Sequence, residues 1–564
     1  MKASDLFVKC LEKENVEYIF GIPGEENSDI MMSIDNSKIK FILTRHEQGA
    51  AFMADVYGRL SGKVGVCLAT LGPGATNLAT GVANANMDRS RVLAITGQTD
   101  SYLLHKESHQ NLNVVSMFEP ITKWSWSIRN AQNIPEIVRR AFKIALTEKP
   151  GATHIELPQD VAKQESDIPP IGYKKLYRPK ANETLIKKAA KIILDAKKPI
   201  MIVGNGCIRE KASSHVRKFA EKTKICSINT FMGKGVIPDD WNTHLHTLGI
   251  KDADHALQAV LDADVVISVG YDLVEYSPKM WNEKLDKKIV HIDFTPAEVY
   301  TYYRPDVEIV SDVQYAVDQI LEEMNQQCGV NKELVSYPRK KMPEEFQKIR
   351  NEVTERINTF ENDSAYPMKP EKIILDVRKE LERSDIVISD VGTHKLWIAK
   401  VYNTYEPNTC IIPNGFASMG FALPGAIGAK LAFPEKTIVA MSGDGGFLMN
   451  VQEIETAVRL KIPIIVIVWI DDGLNLIKLK QNHEFGQSVA TEFGNPDIVK
   501  LAESFGAKGF YAKTVKEFQK YVKAAKKEKS IPTIIGVSVD YSRNPILLDD
   551  DYQPYVESLE NKSK

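Results

Sequence analysis

Short runs of apolar residues recur along this chain, each cut off by glycine or an acidic residue and followed by apolar positions at helical spacing. In the first part the runs are YIFGI (Tyr18–Ile22), KFILTR (Lys40–Arg45), VGVCLATLG (Val64–Gly72), VLAITG (Val92–Gly97) and THIELP (Thr153–Pro158). They read as strands, and the stretches between them, beginning with Ala3–Glu14, read as helices. Strict alternation of this kind predicts a parallel sheet with helices on both faces. A second set follows in PIMIVGNGC (Pro199–Cys207), KICSINT (Lys224–Thr230), ADVVISVGYD (Ala263–Asp272) and KIVHIDF (Lys288–Phe294). A third runs from DIVISD (Asp385–Asp390) to PTIIGVSV (Pro532–Val539). Between the sets lie a proline- and lysine-rich stretch, Asp167–Arg178, and a highly charged one, Cys328–Pro370, expected to be helical on the surface. The fold class is therefore α/β, with three doubly wound parallel-sheet domains at residues 1–167, 180–328 and 365–545. The tail beyond Pro545, with Asp549-Asp550-Asp551, is expected to be a solvated extension.

One stretch concentrates candidate chemistry, Thr437 to Asn475. An apolar strand, Thr437–Met441, breaks at Ser442-Gly443-Asp444-Gly445-Gly446, where glycine permits a tight turn and close approach to a ligand. Phe447, Val451, Ile454 and Val458 then fall at helical spacing, and a second apolar run, Ile462–Ile470, ends at Asp471-Asp472-Gly473. In a βαβ unit both acidic positions fall at the carboxyl ends of parallel strands, the edge where open α/β sheets bind ligands. Asp444 and Asp471 are thus expected to meet, and two hard oxygen ligands beside free amides suit Mg²⁺ carrying a diphosphate. A lone Gly-Asp-Gly is also a common turn, so the motif decides nothing alone.

Composition narrows the classes. The chain has 564 residues, too many for one core, with 43% hydrophobic and 26% charged residues, ordinary for a soluble globular protein. A net charge of −2, with no basic arm, gives no case for nucleic acid or an anionic membrane. No apolar run is long enough to span a bilayer, and the N-terminus lacks a signal-peptide pattern. Six scattered cysteines without a Cys-x-x-Cys pair argue for reduced thiols in a cytoplasm, with Cys67 a small buried hydrophobe.

A second constellation lies near the N-terminus. Arg45-His46-Glu47 follow the run Phe41–Leu43, which sets Glu47 at a helix start near a sheet's carboxyl edge. The helix macrodipole alone favours a carboxylate there by about 0.3–1 kcal/mol. LGPGATNLATG (Leu71–Gly81) puts a Gly-Pro-Gly turn at another strand end, with Asn77 on the first helical turn.

Taken in order and spacing, FGIPG (Phe20–Gly24), RHEQGAAFMADVYGRLSG (Arg45–Gly62), LGPGATNL (Leu71–Leu78), PGATHIELPQDV (Pro150–Val161), NGFASMGFALPGAIGA (Asn414–Ala429) and GDGGFLMNVQEIETAVRLKIP (Gly443–Pro463) make the chain recognisable. It resembles the thiamine-diphosphate-dependent 2-oxoacid enzymes, and within them the acetolactate synthases of the catabolic, FAD-independent kind. The catabolic likeness rests on SVGYDLVEYSPKMWN (Ser268–Asn282), WIDDGLN (Trp469–Asn475) and EFGNPDIVKLAESFGAKG (Glu492–Gly509).

The resemblance implies an aminopyrimidine-binding first domain, a Rossmann-like middle one and a third that holds diphosphate and Mg²⁺. It implies an active site shared between the first domain of one subunit and the third of its partner, hence at least a homodimer, with homotetramers usual. Pyruvate or a similar 2-oxoacid is the expected substrate, decarboxylated and ligated to a second pyruvate to give 2-acetolactate and carbon dioxide. By resemblance Glu47 is the glutamate that bonds the aminopyrimidine nitrogen and shares a proton with it. Gln110 lines the substrate cleft, and Asp444, Asp471 and the Gly473 carbonyl hold Mg²⁺. The remaining cofactor contacts implied are Pro23, Gly24, Thr70, Gly74, Asn77, Gly392, Thr393, His394, Ser418, Met419, Gly443, Gly445, Gly446 and Asn475, with Met419 propping the cofactor into its bent form.

Four departures refine this. Many relatives carry asparagine where Asp471 stands. The arginine-phenylalanine-aspartate-aspartate-arginine run of FAD-containing synthases is missing, with Tyr271-Asp272-Leu273-Val274-Glu275 in its place, so FAD is not expected. Gly204-Asn205-Gly206 lacks the third spaced glycine of a nucleotide fingerprint. Glu25 follows Pro23-Gly24 where synthases usually have a small residue, a carboxylate that could select a different acceptor. The rivals are a related 2-oxoacid decarboxylase, a pyruvate oxidase, which would need FAD, and a non-catalytic binding protein on the same fold.

Overall fold

In a computed structural model, residues 1–174, 177–249, 255–328 and 342–547 are described. They form three six-stranded sheets in which every ladder is parallel. The first sheet contains β1 (Tyr18–Gly21), β2 (Lys40–Leu43), β3 (Gly65–Ala69), β4 (Val92–Gln98), β5 (Trp124–Ser127) and β6 (Ala152–Pro158). The second has β7 (Pro199–Val203), β8 (Cys226–Asn229), β9 (His244–Thr247), β10 (Val265–Val269), β11 (Lys288–Asp293) and β12 (Val307–Val310). The third has β13 (Ile386–Ser389), β14 (Cys410–Ile411), β15 (Ile438–Gly443), β16 (Ile465–Ile470), β17 (Lys508–Ala512) and β18 (Thr533–Ser538).

Strand order separates the three. The first sheet runs β2-β1-β3-β4-β6-β5 and the third β14-β13-β15-β16-β18-β17, the same order counted from each sheet's own first strand. The second runs β12-β11-β10-β7-β8-β9, the two-halved dinucleotide-binding order, which reverses between β7 and β10. Strands such as β3, β10 and β16 are buried along their whole length because helices cover both faces.

Eight helices matter for the site: α1 (Glu47–Ser61), α2 (Pro73–Met87), α3 (Glu344–Asn358), α4 (Thr393–Val401), α5 (Ala422–Ala432), α6 (Asp444–Met449), α7 (Glu453–Arg459) and α8 (Asn475–Phe485). Helix α1 joins the first and third units. Its Phe52 meets Phe421 edge-on at 5.4 Å, and both are fully buried in one core shared by the two units. Gly428 of α5 makes the approach possible, since a Cβ there would lie 2.4 Å from the Met53 carbonyl oxygen. Truncating Phe52 to alanine in such a site costs about 3–5 kcal/mol.

Three expectations need correcting. The helix expected through Phe447–Val458 is two short ones, because Asn450 leaves helical geometry (φ −131°, ψ 26°) and separates α6 from α7. The charged segment before Pro370 is not merely a surface helix: α3 buries Phe346 and Ile349 against the middle unit, its charges facing outward. Strand β16 starts at Ile465 and not Ile462, as Pro463 has no N–H for the ladder. Asp549-Asp550-Asp551 lie outside the described residues.

Candidate active site

At the carboxyl edge of the first sheet, β2 hands over to α1 at Glu47, which opens the helix and is 8% exposed. Its Oε2 accepts from Asn77 Nδ2 at 2.9 Å, and Asn77 sits on the second turn of α2, not the first as expected. Gly74 keeps space beside the other oxygen, as a Cβ there would stand 3.4 Å from Glu47 Oε1. Gly24 packs on Thr70, where a Cβ would lie 2.4 Å from the threonine Cβ, and Thr70 Oγ1 donates to Glu26 Oε2 at 2.6 Å. Glu26 is thus the carboxylate tied into this edge, while Glu25 and Pro23 are exposed. Gln110 arrives from a later loop in a left-handed conformation (φ 53°) and packs on Gly72, its own side chain exposed. Seven residues from five stretches of sequence therefore gather at one edge: Pro23, Gly24, Glu47, Thr70, Gly74, Asn77 and Gln110.

The equivalent edge of the third sheet is a cradle. A cavity of about 110 Å³ is lined by Gly392, Thr393, His394, Met419, Gly443, Asp444, Gly445, Gly446, Asp471, Gly473 and Asn475, together with Tyr541. Ser418 and the whole first-sheet set are not among its lining residues. Helices α4, α6 and α8 all begin there, and the first turn of a helix leaves amides without intrahelical partners, facing an anion with the positive end of the dipole. Asp444 and Asp471 do meet: Asp444 Oδ2 accepts from the amides of Asp471 (3.1 Å) and Asp472 (2.8 Å) and from Asn495 Nδ2 (2.8 Å). Asp444 Oδ1 accepts only from Gly445 N, at 2.8 Å, which leaves it capacity for a cation. Burial, with Asp444 alongside, pushes the Asp471 carboxyl up to about 7.

Two observations test the fit of a diphosphate and a divalent cation. His394 Nε2 is buried without a hydrogen-bond partner among the described residues, and burial lowers that imidazole to about 3, so the ring is neutral. A Cβ at Gly445 would reach within 3.2–3.5 Å of Phe493, Leu474 and Met419, filling the cradle. Hard carboxylate oxygens, free amides and glycine-cleared space fit both groups. Among the described residues no three carboxylate, histidine or cysteine side chains cluster as a metal site, so Asp444 and Asp471 are the acidic pair the cradle offers a cation.

Comparison with known proteins decides the family. Residues 1–117 match the thiamine pyrophosphate enzyme N-terminal TPP binding domain, 186–320 the central domain and 390–537 the C-terminal TPP binding domain. The chain belongs to the thiamine pyrophosphate enzymes, among the acetolactate synthases. It is 35% identical over 553 residues to the acetolactate synthase of Bacillus subtilis (strain 168), covering 97% of this chain and 95% of that one. A probable acetolactate synthase large subunit of Methanocaldococcus jannaschii is 36% identical, covering 90% and 87%. The catabolic acetolactate synthase of Raoultella terrigena is 32% identical, covering 97% and 96%.

Within this thiamine pyrophosphate enzyme, several supporting residues escaped sequence reasoning. Asp390, fully buried, accepts from the amides of Val391, Gly420 and Ala422 and so fixes the loop that carries Met419. Glu453, a polar position in a helical pattern, has Oε1 accepting from the amides of Arg45 and His46 at 3.0 Å each, and Oε2 from Thr456 Oγ1 at 2.7 Å. It thereby ties α7 of the third unit to the turn that aims Glu47. Burial raises the Glu453 carboxyl to about 7. An acidic residue directly after the strand Ile386–Ser389 could have hinted at Asp390, but nothing local marks the contact of Glu453 across 408 residues.

Proposed function

We propose that this protein condenses two pyruvate molecules into 2-acetolactate with loss of carbon dioxide, using thiamine diphosphate held by Mg²⁺, in an active site completed by two copies of the chain. The observation that carries this reading is the division of labour between two equivalent sheet edges. Glu47 crowns one, and the Asp444–Asp471 cradle, lined entirely by third-unit residues among those described, forms the other.

Bound thiamine diphosphate supplies the electron sink that lets a 2-oxoacid lose carbon dioxide. The chain's own residues do the rest. Amides at the starts of α4 and α8 would hold the diphosphate, and Asp444 Oδ1, an Asp471 oxygen and the Gly473 carbonyl would supply hard ligands for Mg²⁺. Met419 adds apolar bulk at the rim of the cradle. Asn77 occupies Glu47 Oε2, which leaves Oε1 as the atom that exchanges a proton with the aminopyrimidine. Gln110, exposed beside the Gly72 turn, orients the 2-oxoacid on this reading.

FAD has no evident place in this scheme. At the middle sheet's reversal point a Cβ on Gly204 would lie 2.3 Å from the Gly270 carbonyl oxygen, so these glycines serve backbone contact. The Asn205 amide that a nucleotide phosphate would use is donated to Glu275 Oε1 at 3.3 Å. The six cysteines are unpaired, which suits a reducing cytoplasm, and no described helix is long and apolar enough to cross a membrane. A homodimer is the smallest complete unit on this reading, and a homotetramer its expected form.

The test is purified protein with pyruvate, thiamine diphosphate and Mg²⁺, with carbon dioxide and acetolactate measured together. One carbon dioxide per acetolactate is expected. Carbon dioxide with acetaldehyde and no acetolactate would make the protein a decarboxylase, and no consumption of pyruvate would overturn the substrate.

A further inference from the structure

Helix α1 begins at Glu47 and ends beside a second cavity, of about 140 Å³, where all three units meet. Arg59, Asp88, Arg89 and Arg91 come from the first unit, Arg209 and Lys211 from the middle one and Asn408 from the third. Five cations and one carboxylate line the cavity, while Asp55 pairs with Arg59 from outside the lining at 3.3 Å. The lining carboxylate is already engaged: Asp88 Oδ2 accepts from Arg59 Nη2 at 3.1 Å, and Oδ1 from the amides of Gly415 (2.6 Å) and Asn414 (3.2 Å).

The guanidinium groups are not all satisfied. Arg209 is 8% exposed and pairs with Asp272 and, at 3.4 Å, with Glu148, yet its Nη2 is buried with no acceptor among the described residues. Arg91 donates Nη2 to the Arg209 carbonyl at 3.1 Å, but its Nε, like the Nε of Arg89, is buried without a partner among the described residues. Burial and the neighbouring Arg209 and Arg178 lower the Arg91 guanidinium, against the pull of Glu148. Buried N–H groups without acceptors cost free energy, more so when charged.

We propose that this cavity binds a small oxyanion of the phosphate class, either inorganic phosphate or the phosphoryl end of a phosphomonoester. Planar guanidinium forks match the tetrahedral oxyanion better than a monovalent halide, and the cavity volume is that of about five waters. The site is separate from the catalytic edge. Glu47 and Arg59 lie roughly 18 Å apart along α1 at 1.5 Å per residue, and the cavity shares no lining residue with the diphosphate cradle. An anion here would bridge the three units at their common junction, behind the loop that carries Met419.

The experiment uses the holoenzyme saturated with thiamine diphosphate and Mg²⁺, so that the cradle is filled. It is titrated calorimetrically with inorganic phosphate and separately with glycerol phosphate, chloride holding ionic strength constant, and melting temperature is followed in parallel. Saturable binding with a rise in melting temperature that chloride does not reproduce is expected. Arg89 and Lys211 both hold φ near 59°, where asparagine is tolerated, so Arg89→Asn and Lys211→Asn are the variants. Each should weaken phosphate by about tenfold or more, the scale of one charged hydrogen bond, with cofactor content unchanged. Tighter binding of the ester than of free phosphate identifies a phosphomonoester as the ligand, and the reverse identifies the free anion. No saturable binding, or equal affinity in wild type and both variants, overturns the proposal. Should Arg89→Asn fail to fold, Lys211→Asn, at an exposed position, carries the test alone.

Discussion

The first and third sheets share one strand order yet present opposite chemistry at their carboxyl edges. After its first strand the first sheet turns at Pro23-Gly24 and the third at Asp390-Val391-Gly392. After its third strand, one gives Gly72-Pro73-Gly74 and Asn77, the other Gly443-Asp444-Gly445. The third edge thus collects helix starts, two aspartates and cleared space, which suit a charged tail and its cation. The first collects one shielded glutamate with a single amide partner, a site for a proton. The fold fixes where a site lies, and a few residues at the strand ends fix what it can do.

The largest effect should come from the third edge. Asp444→Ala is expected to abolish Mg²⁺-dependent retention of thiamine diphosphate, read as cofactor content after gel filtration, with activity lost alongside it. Retention that survives both this change and chelation would remove Asp444 from the metal site. At the first edge the cofactor should stay bound while chemistry fails: Glu47→Gln should cut kcat by about 10²-fold or more, the scale of a lost acid–base group, with cofactor content near normal. A near-normal rate would show that the two edges do not differ as argued.

Co-expressing the two variants under separate tags tests whether the edges work across chains. If the site combines the first unit of one chain with the third of another, a mixed dimer holds one intact site and one doubly altered one. Random pairing then restores about a quarter of the wild-type rate, because half the dimers are mixed and half their sites are intact. Recovery no greater than the sum of the separate variants would place both halves in one chain.

Much of this comparison was legible in the sequence. Apolar runs marked most strands, and strand-end glycines and carboxylates marked both edges. What escaped did so for physical reasons. Strand β9, His-Leu-His-Thr, looks polar, yet it is buried because His244 bonds to Ser227 Oγ (3.0 Å) and Asn229 Nδ2 (3.0 Å). Strand β14 is two residues long, below any pattern. Asp390 and Glu453 act on backbone amides distant in sequence, so spacing carries no trace of them.

Glu453 provides the smallest and most discriminating test, because it belongs to the third unit but serves the first edge. Its folded carboxyl is raised to about 7 by burial, with Glu455 adding to the shift and the Thr456, Arg45 and His46 donors opposing it. Between the unfolded value near 4.5 and about 7, the folded state keeps a proton that the unfolded state has released. Stability from this group is therefore full below about 4.5 and declines as pH rises to 7, on the order of 1–3 kcal/mol. Glu453→Gln mimics the protonated form, since its amide oxygen can still accept from both backbone N–H groups. Its melting temperature should match wild type near pH 5 and exceed it near pH 8. Because the Glu47 turn stays held, kcat should fall far less than in Glu47→Gln, whereas Glu453→Ala, which strands the Arg45 and His46 amides, should lose both stability and rate. If Glu453→Gln and Glu453→Ala behave alike, the carboxyl does not hold the turn, and the catalytic edge of the first sheet is set by its own unit alone.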